Sequence, residues 1–125
     1  GFREDAPNYY TDKGERVRSK AEILIANMLN KHGIPYRYEC PLVLKGYGMI
    51  YPDFTILHMR ERKEMYLEHM GMMDNEIYAE EALERILMYE KNGIFPGEKL
   101  VLTHETGKKP MDSRLLEKII CHYFL

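Results

Sequence analysis

The sequence predicts an α/β domain, a mixed sheet flanked by helices in the order α-β-β-β-α-β-α. Three observations carry this expectation. Two stretches place apolar residues at helical spacing between a capping residue and a glycine stop, Ser19 to Gly33 and Asn75 to Gly93. The segment between them alternates and is punctuated by turn residues, and a short apolar run followed by a capped closing helix completes the chain. At 125 residues, 45% hydrophobic and 30% charged, the chain has the size of one domain.

Taken in order, Gly1 to Gly14 is polar and rich in turn formers, so residues 1–18 read as an N-terminal arm or linker and residues 19–125 as the domain. From Arg18 to His32 the residues Ala21, Ile23, Leu24, Ile25, Ala26, Met28 and Leu29 form a helical stripe, with Ser19 as N-cap and Gly33 as stop. Tyr36 to Glu39 alternates and Pro41 interrupts it. Leu42-Val43-Leu44 then resumes before the turn at Lys45-Gly46-Tyr47-Gly48. A second strand is expected from about Met49 to His58, a turn at Arg60 to Lys63, and a third strand over Met65 to Met70, the three forming an antiparallel meander. Asp74 or Asn75 caps a second helix through Tyr89. Lys99 to His104 is a fourth strand, and Asp112 caps a last helix through Leu125.

Composition narrows the class of function. No apolar stretch approaches the roughly 20 residues of a bilayer crossing, and no signal peptide opens the chain, so the expectation is a cytoplasmic protein and no membrane partner. Cys40 and Cys121 suit free thiols in a reducing compartment better than a disulfide framework or a metal knuckle. With 18 Lys and Arg against 20 Asp and Glu, net charge is −2, so no global positive field advertises nucleic acid. The chain opens on Gly1-Phe2 without methionine, and it is therefore expected to belong to a longer chain.

Strand parity supplies the informative feature. Residues two apart share a face, so Asp53 points away from Phe54 and Ile56 and interrupts an otherwise apolar strand. If the turn is centred on Arg60-Glu61, Asp53 lies directly across from Glu68 on the same face. Two facing carboxylates destabilise a sheet unless one is protonated or a cation intervenes, and a divalent metal is the economical resolution. Glu22 is a third acid, at the border of the first helix's apolar stripe, from which it could reach over the sheet. The plain alternative for Glu22 is a surface glutamate gaining a few tenths of a kcal/mol from the helix dipole.

Glu22, the Pro52-Asp53 pair, Glu68 and the element order together resemble the PD-(D/E)XK nuclease superfamily over about Ser19 to Thr106. Tyr51-Pro52-Asp53-Phe54, Leu67-Glu68-His69-Met70-Gly71 and Tyr89-Glu90-Lys91-Asn92-Gly93-Ile94 look most like an uncharacterised bacterial group with an E-H-x-G version of the motif, related to nuclease domains carried on some helicases. The resemblance implies a restriction-endonuclease-like core and metal-dependent hydrolysis of DNA phosphodiester bonds. It implies that Asp53, Glu68 and the main-chain carbonyl of His69 hold a Mg²⁺ or Mn²⁺ ion, with Glu22 holding a metal-bound water or a second ion.

One departure matters. The family's lysine should stand two residues after the glutamate, where this chain has Met70, and the side chain of His69 points to the opposite face. Arg85 is the candidate replacement, because it shares a helix edge with Tyr78, Ala82 and Tyr89, and Lys91 is the reserve. An arginine stabilises phosphate charge but does not serve readily as a base. The rival reading of Arg85 is a solvated residue paired with Glu81. The rival for the whole chain is a catalytically inactive module of the same fold that binds nucleic acid or a protein partner.

Other constellations are weaker. The histidines His32, His58, His69, His104 and His122 match no zinc spacing, and no Gly-x-Ser-x-Gly frame or Gly-rich phosphate loop is present. Local basic groups (Lys13, Arg16, Arg18 and Lys20; Arg60, Arg62 and Lys63) could meet a nucleic-acid backbone, and Tyr36, Tyr38, Tyr47 and Tyr51 could stack on bases or simply pack. A homodimer is an open expectation for a domain this small acting on two strands.

Overall fold

A computed structural model describes residues 1–125. Its elements are β1 (Tyr9–Tyr10), β2 (Arg16–Val17), α1 (Lys20–Lys31), β3 (Tyr36–Tyr38), β4 (Leu42–Leu44), β5 (Gly48–Ile50), β6 (Phe54–His58), β7 (Lys63–Met70), α2 (Glu76–Lys91), β8 (Leu100–His104) and α3 (Ser113–Phe124). The main sheet has the order β3-β6-β7-β8. β3, β6 and β7 pair antiparallel and β8 joins β7 in parallel. The α/β mixed sheet flanked by helices is therefore the fold the sequence predicts.

Local chemistry explains the helices. Ser19 accepts from the Glu22 N–H to start α1, Asn75 accepts from the Tyr78 N–H to start α2, and Asp112 accepts from Arg114 and Leu115 to start α3. Gly33 and Gly93 follow the two C-caps at φ +66° and +74°, a conformation that a side chain would strain.

Alternation gives the sheet two chemically distinct faces. Phe54, Ile56, Met65, Leu67 and Val101 pack against α1 and α3, the latter through Leu116, Ile120 and Phe124. The other face carries Tyr66, Leu100 and Leu102, which pack with Tyr89 of α2 and with Leu44 and Ile50. No helix is long and apolar enough to cross a membrane.

Three expectations need correction. The single strand from Met49 to His58 is two strands, broken over Tyr51 to Asp53, because Pro52 has no N–H for a ladder. β4 and β5 form a hairpin sheet of their own, inserted between β3 and β6, and the chain leaves β3 at Glu39 with φ +50°. The arm also folds: β1 pairs β2, and Val17 and Thr11 are buried.

The packing of β6 gives the first prediction. Ile56 is wholly buried at the centre of the larger core, so Ile56→Ala should cost about 2–5 kcal/mol in urea denaturation. Asn75→Ala, which removes only a cap, should cost about 1 kcal/mol.

Candidate functional site

The β6–β7 register pairs Phe54 with Leu67 and Ile56 with Met65, which puts Asp53 across from Glu68. This is the juxtaposition that parity predicts. The two residues also brace each other through the main chain. The Asp53 N–H donates to Glu68 Oε1 at 3.1 Å, and the His69 N–H donates to Asp53 Oδ2 at 2.7 Å. Each carboxylate is thus held by the strand that carries the other.

Helix α2 completes the site from above that face. Tyr78, Ala82, Arg85 and Tyr89 recur at spacings of four, three and four, so they form one edge of the helix. The Tyr89 hydroxyl donates to Glu68 Oε2 at 2.9 Å. Arg85 Nε lies 2.5 Å from the same oxygen, although its N–H is not aligned with it, so the contact is an ion pair more than a hydrogen bond. Arg85 Nη2 donates to the Tyr51 carbonyl at 3.0 Å. Arg85 therefore stands with Glu68 and not with Glu81, and Lys91 is exposed in the last turn of α2. Met70 is buried on the Glu68 side.

His69 puts its side chain on the face opposite Glu68, as parity requires. Its ring is buried, with Nδ1 2.8 Å from Thr103 Oγ1 and Nε2 2.8 Å from Glu105 Oε1. Its carbonyl accepts a long, 3.5 Å hydrogen bond from the Tyr78 hydroxyl, which in turn accepts from the Gly71 N–H. The phenols of Tyr89 and Tyr78 were not assigned from sequence. Their signal was the shared helix edge with Arg85, but an edge does not say where a hydroxyl ends.

Glu22 stands apart from the hydrogen-bonded Asp53–Glu68 pair, though near enough for its charge to act on Asp53, and no group of three or more His, Cys, Asp or Glu side chains is arranged to hold a metal ion. The reason is topological. α1 covers the opposite face of the sheet, and Glu22 Oε1 accepts from the Arg18 N–H and the Tyr38 hydroxyl, both at 2.9 Å. Glu22 still bears on the site, because its charge helps to raise Asp53. The ring of Tyr38 packs edge-on against Phe54, as does that of Tyr36, so neither is a free stacking surface.

Electrostatically the site has more acid than base. Burial, then the neighbouring Glu68 carboxylate, push Asp53 up to about 8. Burial raises Glu68 too, against the opposing pull of Arg85. Burial is the largest single influence on Arg85 and works against its cation, but Glu68, Tyr89 and Asp53 together outweigh it and raise the guanidinium. Burial also raises Glu22. One guanidinium thus serves two acids, buried Glu68 and half-buried Asp53, with Glu22 beyond the cavity that these groups line.

These groups line a cavity of about 450 Å³ that also exposes Tyr47, Glu81 and Glu84. The oxygens at this site, the carboxylates of Asp53 and Glu68 and the carbonyl of His69, have the ligand chemistry of a hard divalent cation. Asp53 accepts a hydrogen bond on Oδ2 only, and Glu68 Oε1 accepts a single one, so both retain lone pairs for a further partner. The residues present therefore fit a Mg²⁺ or Mn²⁺ ion held by Asp53, Glu68 and the His69 carbonyl.

No protein-family model matches the chain. The chain is similar to an uncharacterised protein of Methanocaldococcus jannaschii, with 30% identity over 122 residues. That match takes in 87% of this chain and 10% of the other, so the chain spans about a tenth of the length of the curated relative it matches.

The raised Asp53 has a consequence for stability. The native state keeps its proton up to about pH 8, whereas the unfolded chain loses it near pH 4, so between those values the native state binds more protons and stability falls as pH rises. Asp53→Asn should therefore melt at a higher temperature than the parent at pH 8, and the gap should close toward pH 5. A parent-minus-variant difference in Tm that does not change over this range would show that Asp53 is not raised.

Proposed function

We propose that this domain hydrolyses nucleic-acid phosphodiester bonds, DNA being the expected substrate, with a divalent metal ion. The observation that carries the reading is the pairing of half-buried Asp53 with buried Glu68, braced in cross-strand register, lining one cavity and served by one arginine. Burial and the neighbouring Glu68 raise Asp53 until it keeps a proton near neutral pH, and a divalent cation bound at the two acids would take that proton's place.

On this reading Asp53, Glu68 and the His69 carbonyl hold a Mg²⁺ or Mn²⁺ ion, whose chemistry when bound is to acidify a water and to neutralise charge on the phosphate under attack. Arg85 takes the place in space that Met70 leaves empty of charge. Its guanidinium is already anchored to Glu68 and to the Tyr51 carbonyl, so it meets negative charge on a phosphate with little reorganisation. Tyr89 holds Glu68 Oε2 and fixes the orientation of that carboxylate. Glu22 acts from the other face through its charge, which increases the demand of Asp53 for a cation.

The test has a binding arm and a cleavage arm. Mg²⁺ or Mn²⁺ should raise the Tm of the parent, because a ligand of the native state stabilises it, and should leave Asp53→Ala and Glu68→Ala unmoved. Labelled DNA should be cleaved in the presence of the metal, with a loss of about 100-fold or more in either variant and about 100- to 1,000-fold in Arg85→Ala. Cleavage that survives in Asp53→Ala would refute the site, and undiminished cleavage in Arg85→Ala would remove the arginine from the reaction.

A further inference from the structure

We propose that the outer face of the β4–β5 hairpin is a stacking platform for single-stranded nucleic acid, which it leads into the Asp53–Glu68 cavity. The inference rests on the hydrolase reading for what becomes of the strand, but not for its binding. Its starting point is a breach of alternation. The inner residues of the hairpin, Leu44 and Ile50, are buried against Tyr89 and Leu100, and the outer face should accordingly be polar. Instead Val43 and Met49 face each other there, 66% and 57% exposed, with Tyr47 at the tip and Tyr51 just beyond the end, 45% and 53% exposed. Clustered exposure of large apolar groups marks an interaction surface.

Position ties this surface to the candidate site. Tyr47 lines the same cavity as Asp53, Glu68 and Arg85. Tyr51 lies two residues before Asp53, and Arg85 grips its carbonyl. The hairpin is also held rigid: Asn92 at the end of α2 accepts from the Lys45 N–H at 2.8 Å and donates to the Lys45 carbonyl at 3.1 Å. A platform fixed in this way loses little freedom when it binds.

Charge and shape then select the occupant. Lys45 at the tip is exposed and has no carboxylate within ion-pair distance, whereas Glu81 and Glu84 line the α2 wall of the cavity. Glu81 and Glu84 repel a polyanion along that wall, where Arg85 is the cation that meets it, and Lys45 offers it a cation over the hairpin. Tyrosine rings bind the faces of bases, and in a duplex those faces are covered by neighbouring pairs, so only an unpaired strand can use them. Stacking does not read the 2′-hydroxyl, and DNA and RNA strands share the chemistry that this surface recognises.

Fluorescence anisotropy in EDTA, where no metal-dependent cleavage intrudes, tests the platform. Labelled oligo(dT) and oligo(U), which separate DNA from RNA, are compared with a duplex of matched length. At least one single strand should bind about ten-fold or more tightly than the duplex. Tyr47→Ala and Tyr51→Ala should each weaken that binding by about 5- to 100-fold, while Tyr47→Phe and Tyr51→Phe retain it. Lys45→Ala should lower the salt dependence of binding. Duplex bound as tightly as single strand, or indifference to both alanine variants, would overturn the inference. So would self-association of the chain through this patch, abolished by Val43→Asp, with no strand bound. Tyrosine-dependent binding without cleavage under Mg²⁺ would sink the hydrolase reading alone, and duplex cleavage indifferent to the tyrosines would sink the platform alone.

Discussion

The site depends on a reciprocal main-chain clasp between two neighbouring strands. The N–H of Asp53 holds Glu68, and the N–H of His69 holds Asp53, so neither carboxylate can turn away without breaking a hydrogen bond beside it. When both acids are ionised these hydrogen bonds are charge-assisted and oppose their repulsion, and below about pH 8 the proton on Asp53 removes it. The clasp is available because the ladder ends at Phe54. Pro52 keeps the preceding segment out of the sheet and leaves the Asp53 N–H free to bind a side chain.

Helix α2 is less a cover for the sheet than the carrier of the site's polar partners. Only Ala82 and Tyr89 are buried in it, and Tyr89 ends on Glu68. One helix edge brings a phenol, a guanidinium and a second phenol to bear on Glu68 and on the main chain around His69 and Gly71. Arg85 further links this edge to the inserted hairpin through the Tyr51 carbonyl. A cation at the glutamate is thus supplied from α2, while Met70 of the strand is a buried packing residue.

The opposite face is organised around Glu22 in a different way. Its carboxylate is satisfied by the start of its own helix and by Tyr38, and Arg18 pairs with Glu39 where the chain leaves β3. These bonds close the junction of α1, β3 and the arm. They also keep a negative charge near Asp53 without offering it as a ligand. The ring of His69 joins this face too, tied to Thr103 and Glu105 of the β8 segment, so the strand that carries Glu68 is anchored on both sides.

The local sequence by itself determined the helices, through Ser19, Asn75 and Asp112 and the glycines that follow α1 and α2, and the strand periodicity that sets Asp53 opposite Glu68 once a turn at Arg60-Glu61 is granted. It also placed Arg85 on the correct edge of its helix. Caps, turns and side-chain alternation act over a few residues, so a linear reading reaches them. Only the tertiary structure decided that the strand before Asp53 splits off into a separate hairpin, that Glu22 is committed to Tyr38 on the far face, and that the Tyr89 hydroxyl ends on Glu68. Each of those contacts joins groups 16 or 21 positions apart, or depends on which sheet a segment enters. They are settled by how whole elements pack against one another, and periodicity along one element carries no information about that.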